Sequence, residues 1–192
     1  MTYPLVLIPP EIDRQMEQLG TKYKFWYLDE EERPWLFKQA RSGTGEDWAE
    51  KISAELCELL ELPHATYELA SWQGKRGVVT PSFNVKDGRL VFGNELLEYV
   101  ISGSDTEAKH RRQHHKVGRV FAYLGGENLS TPYGWDCPEP LTSAASVFVG
   151  YLMLDALIGN QDRHDENWGI ILLDGSYFLQ PTFDHASSLG RN

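Results

Sequence analysis

The stretch from Gly159 onward, GNQDRHDENWGIILLDGSYFLQPTFDHASSLG, concentrates side chains able to do chemistry. Asp162 and Asn167 stand five positions apart, and Asp184 follows two short apolar runs, GIILL and YFLQP, that flank Asp174-Gly175. A carboxylate can orient and deprotonate an alcohol, and the hard oxygens of Asp and Asn suit magnesium. An Asp, an Asn five residues on and a further Asp beyond a strand pair is the layout of a phosphoryl-transfer site. There the first Asp accepts the proton of the acceptor hydroxyl, while the Asn and the later Asp hold magnesium against the phosphates. Each of these residues alone is an ordinary turn former, and His164 alone an ordinary loop residue. Spacing, a preceding apolar helix and a following hairpin together match one template. A zinc site on His164 and His185 with nearby carboxylates is an alternative, although no HExxH or HxH spacing supports it.

Positioning such a loop takes a rigid helix before it and a turn that folds the later Asp back. SAASVFVGYLMLDALIGN carries Ala144, Phe148, Tyr151, Leu152 and Ile158 along one helical side, and Asp174-Gly175 has the composition of a hairpin turn. Upstream, KYKFWYLDEEERPWLFK predicts two aromatic strands joined by an acidic turn, the second ending in Lys38. After the loop ARSGTG, the segment EDWAEKISAELCELLEL places Trp48, Ile52, Leu56 and Leu59 at helical intervals, predicting an amphipathic helix with that stripe inward. Glu46, Asp47 and Glu50 sit in its first turns, where carboxylates complement the helix dipole. TYELASW, GVVTPSF and RLVF predict further strands completing an antiparallel sheet, and NELLEYVI and HKVGRVFAYL predict helices.

The 192 residues suit one domain or two small lobes, and 41% hydrophobic with 24% charged residues is a globular balance. Eighteen Lys+Arg against 28 Asp+Glu give a net charge of −10, which disfavours general nucleic-acid binding and anionic membrane surfaces. Cys57 and Cys137 form neither a CxxC pair nor a disulfide framework, which fits a reducing compartment. No basic stretch precedes the apolar amino terminus, and Val147 to Ile158 is too short for a membrane span, so a cytoplasmic location is expected. One local exception to the acidic balance is KHRRQHHKVGR, where Lys109, Arg111, Arg112, Lys116 and Arg119 form a solvated helix face or a dock for an anionic partner.

LIGNQDRHDENWGIILL followed by LQPTFDHASSLG resembles the catalytic and metal loops of HipA-type serine/threonine kinases, the toxin components of bacterial toxin–antitoxin modules. LFKQARSGTGEDWAEKISAELCELLELP resembles the family's lysine strand and following helix, so the likeness spans most of Gly20 to Gly190. It implies an α+β, bilobal protein-kinase-like fold with a small antiparallel-sheet lobe over residues 1–93 and a mostly helical, incomplete large lobe over 94–192. ATP and magnesium would lie between the lobes. By resemblance, the phosphate-contacting lysine falls on Lys38, the catalytic Asp on Asp162 and the metal ligands on Asn167 and Asp184, with His164 near the phosphates. The acid pairing with the lysine would be Glu50, whereas helical periodicity puts Glu55 nearer the apolar stripe. Neither GxGxxG nor GxxxxGK[ST] occurs, and Gly20-Thr21-Lys22 is the implied loop over the phosphates. Gly43-Thr44-Gly45 is its rival, opposed by the acids at Glu46 and Asp47. Pro81, Ser82 and Phe83 would face adenine, mainly through backbone groups.

The resemblance implies ATP-dependent transfer to a protein Ser/Thr hydroxyl, an aminoacyl-tRNA synthetase as the target and an antitoxin as a partner. HipA-type kinases continue well past the metal-binding Asp, whereas eight residues follow Asp184 here. A truncated core that self-associates, or that relies on a second polypeptide to cover its apolar helices, is therefore expected. Two rivals remain. A phosphoinositide-type kinase shares DRH, Asn and a later Asp, but the net charge of −10 disfavours docking on anionic membranes. An inactive or partial nucleotide-binding kinase fragment would act through partner binding instead.

Overall fold

Aromatic and β-branched residues fill the first half of the chain and build a six-stranded sheet. The computed structural model describes residues 3–17, 22–83, 87–101, 116–136 and 138–190. The sheet runs β1-β5-β6-β4-β3-β2, from β1 (Leu5–Ile8), β2 (Gln15–Met16), β3 (Lys24–Leu28), β4 (Pro34–Gln39), β5 (Glu68–Trp72) and β6 (Lys75–Pro81). Its pairings are antiparallel except that of β1, which lies parallel to β5. The expected aromatic hairpin is β3–β4, with Phe25 opposite Phe37 and Lys24 opposite Lys38. Strand alternation sends Phe37 to one face, into a core with Phe25, Ile8, Ala70, Trp72 and Val79. The next residue, Lys38, therefore emerges on the other face, beside α1 (Glu46–Leu59).

Helix α1 forms where expected but turns a different side inward. Ile52 is exposed, Leu59 is 80% exposed, and Trp48 and Leu56 are half-buried. The buried residues are Glu46, Asp47, Ala49, Glu50, Lys51, Ser53, Ala54 and Cys57. Each buried charge has a partner: Glu46 takes Lys22 and Arg41, Asp47 takes Arg76, Glu50 takes Lys38, and Lys51 takes Glu55 and Glu68. Pairing off these charges, rather than burying the apolar stripe, sets the helix rotation.

The second half contains α2 (Gly93–Ile101), α3 (Val117–Leu124), α4 (Ala144–Ile158) and a four-stranded sheet. That sheet runs β7-β9-β10-β8, from β7 (Arg89–Phe92), β8 (Leu129–Ser130), β9 (Gly169–Leu173) and β10 (Ser176–Leu179). Strand β7 corrects the sequence expectation: RLVF joins this sheet, antiparallel to β9, and not the first one. The chain leaves the first sheet at Pro81, and Val91 then packs on the core of Ile170, Trp168, Leu179 and Phe148. Asp174 and Gly175 both take positive φ and close the β9–β10 hairpin as anticipated. Among the described residues no helix is long and apolar enough to cross a membrane. Residues 102–115, with Lys109, Arg111 and Arg112 of the basic cluster, lie outside the described residues, as do Gly20, Thr21 and Cys137.

Candidate active site

Three segments distant in sequence meet at Lys38. Its Nζ donates to Glu50 Oε1 at 2.5 Å and to Asp184 Oδ1 at 2.8 Å. The other Glu50 oxygen accepts the backbone N–H of His185 at 2.8 Å, so α1 holds both the lysine and the segment carrying Asp184. That segment is anchored further by paired backbone bonds: Ala65 N–H to the Thr182 carbonyl at 2.8 Å and Thr182 N–H to the Pro63 carbonyl at 3.0 Å. Asp184 itself has a φ of +60°, a strained setting for a non-glycine residue. Its backbone N–H reaches the Tyr67 hydroxyl at 3.4 Å, and the Lys38 ammonium lies 5.3 Å from the centre of the Tyr67 ring.

Electrostatics keep these charges fixed. Burial works against the Lys38 charge, but Asp184 and Glu50 outweigh it and hold the ammonium well above its usual range. Burial likewise opposes the Asp184 carboxylate, and Lys38 overcomes it, with help from Lys22 and Lys24, to hold the carboxyl well below the usual range. Burial raises the Glu50 carboxyl, Lys38 pulls it back, and Asp184 raises it again. Burial and the Arg163 charge lower His185 to about 3, so this ring is neutral near pH 7.

Helix α4 delivers the second group. Its N-terminus carries a reciprocal Ser143–Ser146 capping box, and Gly159, at φ +65°, ends it in the left-handed region that glycine favours. The loop that follows is braced by a buried ion pair, with Arg163 Nε 2.7 Å and Nη2 2.8 Å from the Asp155 carboxylate. Arg163 Nη1 also donates to the Asn167 carbonyl at 3.0 Å, and Nη2 lies 3.3 Å from His185 Nε2. The loop thus curls around one guanidinium. Asn167 is buried and donates from Nδ2 to the Asp162 carbonyl at 2.6 Å, which closes the five-residue interval. Asp162 points outward, 53% exposed, with Ser187 Oγ donating to its Oδ2 at 3.3 Å and His164 Nε2 at 3.8 Å from Oδ1.

Most residues expected from sequence have described positions. Lys38, Glu50 and Asp184 form one cluster, and Asp162, His164 and Asn167 form one loop. Glu55 lies apart from Lys38 and pairs with Lys51. Lys22 Nζ is 3.2 Å from Glu46 and lines a small space shared with Lys38 and Glu50. The Ser82 N–H donates to the Pro34 carbonyl, and the Phe83 ring packs 5.8 Å from Phe183, directly before Asp184. For the zinc alternative, His185 Nε2 is engaged by Thr182 Oγ1 and Arg163, and the described residues hold no group of three or more His, Cys, Asp or Glu suited to a metal. Sequence reasoning missed Arg163 and Tyr67. The signal for Arg163 was Asp155, a lone acid in an apolar helix eight residues earlier, which demands a cation.

Beside Asp162 opens a cavity of about 460 Å³ lined by Arg41, Gly159, Gln161, Asp162, Ser187 and Ser188. Asn167 and Asp184 are oxygen donors of the kind magnesium takes. Tying Asn167 Nδ2 to the loop leaves the amide oxygen as that side chain's ligand atom, and Asp184 adds a carboxylate. Two hard oxygen donors completed by phosphate oxygens and water are what this cation takes in nucleotide sites.

Compared with protein families and with curated proteins, the sequence matches none. Solved structures do match. The proinflammatory kinase CtkA of Helicobacter pylori superposes with a TM-score of 0.70 at 18% identity, covering 98% of this chain and 62% of that one. HipA of Shewanella oneidensis MR-1, solved as a toxin–antitoxin complex with HipB and operator DNA, gives 0.61 at 15% identity, covering 90% of this chain and 44% of that one. The chain thus spans less than two thirds of the length of either neighbour. Its mixed α+β architecture, a sheet lobe followed by a region with helices and a small sheet, is the fold of these kinase-like proteins.

Proposed function

We propose that the chain is a HipA-like, ATP-dependent kinase that transfers a γ-phosphoryl group to a protein Ser/Thr hydroxyl. The observation that carries this reading is Lys38 Nζ held jointly by Glu50 and Asp184. A buried lysine fixed on a helix acid and next to a metal-binding Asp is how protein kinases compensate phosphate charge. In this reading the expected small lobe of residues 1–93 gives up β7 (Arg89–Phe92), which pairs with β9, to the large lobe expected over 94–192. Lys38 binds phosphate, Glu50 positions Lys38, and Gly20, Thr21 and Lys22 cover the phosphates. Ser82 and Phe83 border the adenine. Asn167 and Asp184 would hold magnesium, which when bound neutralises developing charge on the phosphates. Asp162 orients the acceptor hydroxyl and takes its proton, and His164 stands beside it on the phosphate side.

The toxin role, an antitoxin partner, an aminoacyl-tRNA synthetase as acceptor and a cytoplasmic setting belong to the same proposal, as do self-association and a second polypeptide covering the large lobe. The first two draw support from the HipA–HipB likeness. The test pairs thermal shift with magnesium and an ATP analogue against labelling of a cell lysate by radiolabelled ATP. Asp162→Asn is expected to keep the shift and lose labelling, and Asp184→Ala to lose both. An equal shift in wild type and Asp184→Ala overturns the metal assignment, and a wild type without labelling overturns the kinase reading.

A further inference from the structure

One guanidinium touches both segments that carry a candidate metal ligand. Arg163 gives Nε and Nη2 to the Asp155 carboxylate of α4 at 2.7 and 2.8 Å, and Nη1 to the Asn167 carbonyl at 3.0 Å. Its Nη2 also lies 3.3 Å from His185 Nε2, and His185 directly follows Asp184. His185 is gripped elsewhere too: Glu50 Oε2 accepts its backbone N–H at 2.8 Å, and Thr182 Oγ1 stands 2.9 Å from Nε2. An arginine can only donate, so His185 Nε2 accepts, the Thr182 hydroxyl donates to it as well, and the ring proton sits on Nδ1. Arg163, Asp155 and His185 are all buried, so the contacts are shielded from water. Asp184 keeps its φ of +60° directly beside this doubly held histidine.

Resting on the kinase reading, which makes Asn167 and Asp184 the metal ligands, we propose that Arg163 and His185 are positioning residues that set the spacing of those ligands before a cation arrives. Arg163 holds the backbone of one ligand directly and the segment of the other through the His185 ring. Without that link the catalytic loop and the Asp184 segment can shift against each other, and a divalent cation must then draw its ligands together as it binds. Lysine cannot replace the guanidinium. Its single ammonium can keep the Asp155 pair but has no planar fork to reach the Asn167 carbonyl and His185 together. At His185 the requirement is an acceptor at the place of Nε2. Glutamine sets its amide oxygen near that place, whereas asparagine is one carbon too short.

The test reads manganese, a hard octahedral stand-in for magnesium, by electron paramagnetic resonance in the presence of a nonhydrolysable ATP analogue. Affinity for the analogue without metal is measured alongside by calorimetry. Arg163→Lys and His185→Asn are each expected to weaken manganese binding by about tenfold or more, as loss of a group that orients a ligand does, with metal-free nucleotide affinity unchanged. His185→Gln is expected to restore manganese affinity. Nitrogen NMR of the His185 ring in the wild type should place its proton on Nδ1. If Arg163→Lys fails to fold, the Asn and Gln variants at His185 carry the test. Manganese affinity equal in wild type, Arg163→Lys and His185→Asn overturns the inference alone, as does a Gln variant no better than Asn or a wild-type ring protonated on Nε2. An equal loss of metal-free nucleotide affinity also overturns it, because the residues then support the whole cleft and not the ligand spacing. A wild type that takes up no manganese with nucleotide overturns the metal assignment of the kinase reading, and this inference falls with it.

Discussion

Removing the Lys38 ammonium leaves Glu50, almost wholly buried, facing Asp184 with no cation between them. An uncompensated buried carboxylate costs roughly 3–5 kcal/mol. Lys38→Met is therefore expected to lower unfolding stability by about that much, read by denaturant titration, and to remove phosphoryl transfer. Glu50→Gln keeps an acceptor oxygen for only one of its two donors, Lys38 Nζ or the His185 N–H, and sets an amide NH2 against the other. The side chain keeps its size, so the variant should still fold, yet lose roughly 100-fold in kcat/KM as the lysine loses its fixed position. Glu55→Ala, which breaks a pair to Lys51, should leave kcat/KM unchanged. If Glu55→Ala and Glu50→Gln are equally impaired, Lys38 is not positioned by Glu50. At this scale the chemistry-bearing types and the interval from Asp162 to Asn167 were legible, because a loop that closes on itself leaves a spacing in the sequence. Tyr67 was not, because its partners Lys38 and Asp184 lie across the fold and no period relates them, whereas Arg163 had a local signal in Asp155 eight residues earlier.

At the scale of elements, strands β3, β4 and β6 and the hairpin β9–β10 were legible from alternation and turn residues, while the rotation of α1 was not. Its apolar stripe predicted one inward face, and four buried charge pairings imposed another; such partners come from β4, β5 and β6 and have no helical period. Strand β7 was misplaced because antiparallel pairing with β9, far along the chain, has no local signature. Two expectations belong here. A Cβ at Gly77 would stand 2.3 Å from the Lys38 carbonyl oxygen, which is backbone and cannot yield cheaply. Gly77→Ala should therefore destabilise the fold by about 1–3 kcal/mol and weaken nucleotide binding through Lys38, measured by unfolding and by thermal shift with ATP. In the β3–β4 turn, Asp29 accepts from the Glu31 and Arg33 backbone N–H groups, from Arg33 Nε and from Trp35 Nε1. Desolvation opposes its charge, but these donors outweigh it and bring the carboxyl down to about 2. A folded-state value below the ordinary 3.8 means the hairpin's support is complete above that pH and is lost as pH falls toward 2. NMR titration of Asp29 at an ordinary carboxylate value would overturn this.

For the whole molecule, the two halves are joined through charge at Lys38, Glu50 and Asp184, through backbone at Pro63–Ala65 and Thr182, and through apolar packing of Phe83 on Phe183 and of Cys57 and Leu62 on Leu154 and Ile158. Helix α4 is apolar on nearly every side: Val147, Tyr151, Leu154 and Ile158 face inward, and Val149, Met153 and Leu157 recur at four-residue intervals outward, the last two 69% and 63% exposed. The end of α1 adds Leu59 and Leu60 to the exposed side chains, and Leu62 just beyond it packs with Leu154 and Ile158 of α4. The exposed apolar row on α4 favours association in water, opposed here by the repulsion of molecules of net charge −10. Salt screens that repulsion without weakening apolar contact, so the purified chain is expected to self-associate at micromolar concentration and more strongly as salt rises. Sedimentation velocity reads this directly. Met153→Glu with Leu157→Glu should return the chain to a monomer at every salt concentration, with folding checked by circular dichroism, because a charge buried in an apolar interface costs several kcal/mol. A wild type that sediments as a monomer throughout would mean that this face of α4 is stable in water as it stands.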